Sequence, residues 1–184
     1  MGGVPIIPMV IGVSEDAEKI REDVEGLGGF PVVIKMTGMS HGAGVKKADS
    51  MEELEEVMAG IDREKVVPVM KKFLVNARHV RCVVLGDRVV DAIEYFMPED
   101  DFRTNVTNQP IVRKFGGDEE VFDVAARAVV VAGMEFGGVD ILIDEDGGKY
   151  VAEVNYPCNF ARNQMCTGAD ISGMVVDYLI SKVS

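Results

Sequence analysis

A chain of 184 residues, 47% hydrophobic and 27% charged, can bury a core, and its composition excludes an intrinsically disordered chain. Its 19 basic against 31 acidic residues give a formal charge of −12, which excludes a diffuse field for nucleic acid or an anionic membrane. A small polyanion can still be held where a few Lys and Arg converge and a metal helps. Cys82, Cys158 and Cys166 form no CxxC pair, and only His41 and His79 accompany them. A structural zinc site is therefore not expected, and the thiols read as small buried apolar groups in a reducing cytoplasm. The segment Met1–Val10 lacks the basic and long apolar parts of a signal peptide, and no apolar run approaches about 18 residues.

In chain order, Val4–Val10 reads as a short β-branched strand despite Pro5 and Pro8. Ser14 stands where it would cap a helix to about Leu27, ended by Gly28 and Gly29. Pro31–Met36 is a buried strand carrying Lys35, followed by the Gly-rich loop Thr37–Gly44 and a short strand from Val45. Ser50 and Glu53 make a capping box for the helix Met51–Gly60, with Leu54, Met58 and Ile61 as its apolar stripe. Val66–Val75 and His79–Leu85 look like antiparallel strands, the second joined by Gly86-Asp87 to Arg88–Phe96.

Met97–Gln109 is a polar loop long enough to suggest function, and Ile111–Phe115 is a further strand. A helix from Asp118 to about Glu135 is expected to be stopped by Gly137-Gly138. The hairpin Val139–Asp144 and Lys149–Asn155 leads to a last helix, Asp170–Lys182. Ile171, Met174, Val175, Tyr178 and Leu179 are spaced for its buried face. This order, without repeats or linkers, predicts an α+β fold with mixed or antiparallel sheets.

Chemistry concentrates in three places. Glu153 and Asn155 share a strand face, and Asp140 joins them whether the hairpin turns at Asp146-Gly147 (Asp140 opposite Glu153) or at Gly147-Gly148 (Asp140 opposite Asn155). Opposed carboxylates repel, and a divalent cation held by both, with the Asn155 amide oxygen as a neutral donor, would reverse the sign. Lys35 precedes the loop ending Gly42-Ala43-Gly44, a combination that suits phosphate without matching either the Walker or the dinucleotide pattern. Phe102-Arg103-Thr104-Asn105 offers a guanidinium and an amide to an oxyanion.

These elements, in this order, resemble the ATP-grasp superfamily, and most closely its RimK-type carboxylate–amine (glutamate) ligases. The matching stretches are Phe30–Lys35, Val80–Asp87, Asp101–Asn105, Gly138–Leu142, Glu153–Asn155 and Thr167–Ile171. The resemblance implies two α+β lobes gripping nucleotide between them: a smaller lobe with the Gly-rich loop at residues 1–72, and a larger one with metal and catalytic residues at 73–184. It implies ATP and Mg²⁺ as cofactors, with Mn²⁺ allowed, and carboxylate and amine substrates such as an amino acid or a peptide or protein terminus.

By position, Lys35 and the loop Gly42, Ala43 and Gly44 would contact nucleotide phosphates. Met70–Leu74 would form the hinge whose backbone reads adenine, with Lys72, Phe73 and Leu74 as its binding residues and His79 near the ribose. Asp140, Glu153 and Asn155 would hold the metal. Arg103, Asn105 and, less directly, Arg81 would support an acyl phosphate during amide formation.

The sequence also departs from the pattern. Lys72 stands where Glu is common, His79 where a carboxylate is usual, and Tyr156-Pro157-Cys158 follows Asn155 in place of Ser-Pro-Gly. The pre-grasp domain is expected to be absent, which allows a homo-oligomer or a partner subunit supplying that portion. It also leaves a rival expectation, a nucleotide-binding module without ligase activity in a larger assembly.

Overall fold

The computed structural model describes residues 3–37, 44–96 and 111–183. These residues form two compact units, one of residues 7–74 and one of residues 3–6, 75–96 and 111–183. In each unit the strands named below pair antiparallel, with helices against the sheet, an α+β fold. Among the described residues no helix is long and apolar enough to cross a membrane.

The unit of residues 7–74 contains β1 (Met9–Ile11), α1 (Ala17–Gly26), β2 (Val32–Met36), β3 (Val45–Ala48), α2 (Met51–Ala59) and β4 (Pro68–Lys72). Its strand order is β1-β4-β2-β3. The first strand is shorter and later than expected, because Pro5 and Pro8 have no N–H to give a ladder. Their carbonyls are used instead, Pro5 accepting from Val151 N and Pro8 from Lys72 N, each at 2.9 Å.

The cap of α1 is Asp16, not Ser14: its carboxylate accepts from Glu18 N at 2.8 Å and Lys19 N at 3.0 Å, while Ser14 Oγ accepts from Asp16 N. A charged acceptor at a helix N-terminus also meets the helix dipole favourably, which a hydroxyl does not. For α2, Ser50 Oγ accepts from Glu53 N, and the Glu53 carboxylate accepts from Asp49 N at 2.8 Å, one residue outside the expected reciprocal bond. Ile20, Val24, Leu54 and Met58 from the two helices pack on Val32, Ile34 and Met70 of the sheet. Alternation therefore leaves Val33 and Lys35 on the opposite sheet face.

The other unit contains β5 (Arg78–Leu85), β6 (Arg88–Phe96), β7 (Ile111–Lys114), α3 (Glu119–Val131), β8 (Phe136–Ile143), β9 (Lys149–Asn155), α4 (Ala161–Thr167) and α5 (Ile171–Val183). Its strand order is β7-β6-β5-β8-β9. Thus β4 and β5, neighbours in the chain, belong to different sheets. On one face α3 buries Val121, Val124, Ala125, Ala128 and Val129 against Val80, Cys82, Val139 and Ile141.

Helix α3 ends earlier than expected. Gly133, at φ 72°, turns the chain so that Met134 N reaches Val129 O at 3.0 Å, a stop that only a residue tolerant of the left-handed region makes cheaply. On the last helix, Ile171 is buried and Val175 packs beside it, but Met174 and Leu179 of the expected apolar face are exposed, because α5 docks through its first turns.

Gly137 and Gly138 lie inside β8, where closeness and not turning requires them. A Cβ on Gly138 would stand 2.7 Å from Cys158 Sγ. Gly138→Ala is therefore expected to cost about 1–3 kcal/mol by overpacking, measured as a shift in urea unfolding. Cys158→Ala in the same chain should return much of it. An unchanged midpoint for the single variant would mean that the strand and Cys158 separate at no cost.

Candidate functional site

Because Val80 and Cys82 point into the α3 core, His79 and Arg81 on β5 point to the opposite face, as does Asp140 between Val139 and Ile141 on β8. Arg81 pairs with Asp140 across one ladder, and Asp140 with Glu153 across the next. Of the two hairpin registers left open by the sequence, the one with Asp140 opposite Glu153 is found. It is reached through a longer turn, with Asp144 N bonded to Gly148 O, and a bulge that steps from the Ile141–Val151 pair to the Asp140–Glu153 pair. The extra residue, Ala152, lets Val151 and Val154, three apart, both serve the core, which strict alternation forbids.

Asp140 is the centre of the cluster and is only 2% exposed. Its Oδ1 accepts from His79 Nε2 at 2.8 Å and Arg81 Nε at 2.6 Å, and its Oδ2 from Arg81 Nη2 at 2.6 Å and Asn155 Nδ2 at 3.1 Å. Burial by itself would raise this carboxyl, but the bonds from His79 and Arg81 outweigh it and hold the group down at about 2. Burial likewise works against the Arg81 charge, and the Asp140 pair more than restores it. The carboxylate repulsion expected from the hairpin is thus already answered by a guanidinium 59 residues away in sequence.

His79, placed near a ribose by the resemblance, is buried against Asp140. Its ring stacks on Tyr95 with centroids 4.7 Å apart, and its Nδ1 has no hydrogen-bond partner among the described residues. Tyr95, Arg162 and Asn163 were not anticipated. Arg162 of α4 lies over Tyr95 at 5.7 Å, and Asn163 Nδ2 donates to the buried Asp91 at 3.0 Å. Counting back from the Gly86-Asp87 turn would set His79 against Glu94. A bulge at Val83/Val84 shifts the partner to Tyr95, so no local signal identifies it.

In the unit of residues 7–74, Lys35 lies opposite Val45 and Val69, and Val33 lies opposite Lys47 and Lys71. Lys35, Lys47 and Lys71 therefore share the sheet face away from the helices, a basic strip within an acidic chain. Lys47 pairs with Asp49 at 2.6 Å and sits over the Phe73 ring at 5.2 Å. Lys47 is not singled out by the sequence, and Lys71 enters there only as part of the Met70–Leu74 hinge; alternation from Lys35 places both on this face once the strands are paired. Lys72 lies opposite Val32 at the strand end, Leu74 is buried, and Gly44 O accepts from Met36 N. Gly42, Ala43, Arg103 and Asn105 lie outside the described residues.

The chain matches the RimK-like ATP-grasp domain over residues 4–179. It belongs to that family. A probable alpha-L-glutamate ligase of Rhodopirellula baltica is 30% identical over 170 residues, covering 91% of this chain and 42% of the relative. One from Methanococcoides burtonii is 28% identical over 179 residues, covering 92% and 57%. The chain thus spans about half the length of the curated relatives it matches. The ATP-grasp ligase PsnB, solved with a phosphomimetic precursor variant, Mg and ADP, superposes with a TM-score of 0.75 at 24% identity, over 99% of this chain and 55% of that one.

In this ATP-grasp chain the donors suit a hard cation in kind. Asp140 and Glu153 are opposed carboxylates, and Asn155 is bonded through its amide nitrogen, leaving its oxygen as the third donor. Among the described residues no group of three or more His, Cys, Asp or Glu is placed to hold a metal. An ion here would therefore need oxygens from another source.

Proposed function

We propose that this chain is the core of an ATP- and Mg²⁺-dependent carboxylate–amine ligase. The observation that carries this reading is the row Arg81–Asp140–Glu153 with Asn155 beside it, on one sheet face of an ATP-grasp chain. In the proposed reaction a carboxylate oxygen attacks the γ-phosphorus of ATP and ADP leaves. The amine then attacks the acyl carbon, and phosphate departs as the amide forms. Asp140, Glu153 and the Asn155 oxygen would hold Mg²⁺, which when bound would supply charge neutralisation to the phosphates.

The remaining roles are assigned on the resemblance. Lys35 and the Gly42–Gly44 loop hold phosphates, and Lys72, Phe73 and Leu74 hold the base. Arg103 and Asn105 stabilise charge on the group in transfer. His79 is better read as orienting Asp140 than as touching ribose. The names of the relatives suggest glutamate as one substrate, and the reducing cytoplasm is the compartment in which we place the reaction.

Glu153→Gln tests the reading. It keeps the side-chain volume and replaces an anionic metal donor by a neutral one, so Mg·ATP affinity in calorimetric titration should fall while metal-free nucleotide binding and the unfolding midpoint change little. Unchanged Mg·ATP affinity would overturn the assignment.

A further inference from the structure

The Asp140 carboxylate has about four lone-pair sites, and four donors fill them: His79 Nε2, Arg81 Nε, Arg81 Nη2 and Asn155 Nδ2. A divalent ion bound at Asp140 must displace at least one. His79 is confined, 1% exposed and stacked on Tyr95. Asn155 is neutral and makes the longest of the four bonds. Arg81 is the cationic donor, and it takes both carboxylate oxygens in a fork.

A bare divalent ion would add two positive charges beside that guanidinium. Arg81 cannot simply retreat into water either, because its side chain is only 14% exposed. It needs a second anion with spaced oxygens to receive the fork. Given the function proposed above, on which this step rests, nucleotide phosphate is that anion.

We infer that Arg81 is the resident counter-cation of the metal position. It neutralises Asp140 until a nucleotide phosphate accepts its guanidinium, so the divalent cation binds together with nucleotide and not before it. The coupling is reciprocal: whatever removes Arg81 from Asp140 should let metal bind alone and should weaken the benefit that nucleotide brings.

The test is Mn²⁺ binding to the full chain, read as the loss of the free-ion electron paramagnetic resonance signal, with and without ADP. The unaltered chain should hold Mn²⁺ poorly without ADP. Arg81→Gln should bind nucleotide-free Mn²⁺ at least about tenfold more tightly, and added ADP should then improve binding less. Asp140→Asn placed on top of Arg81→Gln should abolish the gain, locating the ion at Asp140. If Arg81→Gln does not fold, Arg81→Lys carries the test, since a point charge holds one oxygen less firmly and should give a smaller gain in the same direction.

No gain in the folded variant, or a gain that survives Asp140→Asn, overturns the inference. Glu153→Gln separates this from failure of the underlying reading. If it abolishes ADP-dependent Mn²⁺ binding while Arg81→Gln gives no gain, the metal site stands and only the role of Arg81 is wrong. If Glu153→Gln and Asp140→Asn both leave ADP-dependent binding intact, the metal assignment itself is wrong, and the inference falls with it.

Discussion

Asp140→Asn should destabilise the unit of residues 75 onward by about 3–5 kcal/mol, because it leaves the Arg81 charge largely buried without its partner. With no tryptophan in the chain, the measurement is the urea midpoint followed by far-UV circular dichroism. Pairing the change with Arg81→Met removes both charges and should recover most of the loss, since a buried ion pair replaced whole costs little.

The same carboxylate gives the stability a pH dependence of known sign. Its folded value is about 2 against an ordinary 3.8, so the folded state favours the ionised form. The stabilisation is complete above pH about 4 and is lost as the pH falls from about 4 towards 2, a contribution of about 2 kcal/mol. Asp140→Asn should flatten that part of the profile. A variant as stable as the parent, with the same acid limb, would show that the Arg81–Asp140–His79 cluster is not a stabilising element.

Lys35→Met should weaken ATP binding by about 10–150-fold while leaving adenosine binding within about twofold. A charge-assisted contact to phosphate is worth roughly 1.5–3 kcal/mol, and adenosine offers no phosphate to lose. Methionine retains most of the apolar stem, so β2, paired on both sides, should keep its place. Isothermal titration with ATP, ADP and adenosine decides the matter. Equal losses for all three would make Lys35 a structural residue of the sheet.

Much of the fold is legible without coordinates where one stretch of chain contains both halves of an interaction. The Ser50 cap and the Leu54/Met58 stripe of α2 are four to eight residues apart, and the alternation around Lys35 and around Asp140 is a property of single strands. The same holds for the ordered set of stretches that resembles the ATP-grasp family, and the family match bears this out. Local choices between equals were less legible. Asp16 outcompetes Ser14 for the α1 cap because two acceptors were in reach and only geometry chooses. Gly133 stops α3 before Gly137-Gly138 can, since the first glycine able to take a positive φ ends the helix.

The sequence by itself determined that a hairpin puts Asp140, Glu153 and Asn155 on one face and that a lysine sits on a buried strand, the residues to which the proposed chemistry is assigned. Only the tertiary structure decided what Asp140 meets. Its partners Arg81 and His79 lie 59 and 61 residues away, brought to it because β5 is inserted between β6 and β8. Two bulges, one in β5–β6 and one in β8–β9, then choose the residues that stand opposite each other. A side chain's type and periodicity are local facts. The charge it finally faces depends on strand order and register, which long-range packing of the core selects.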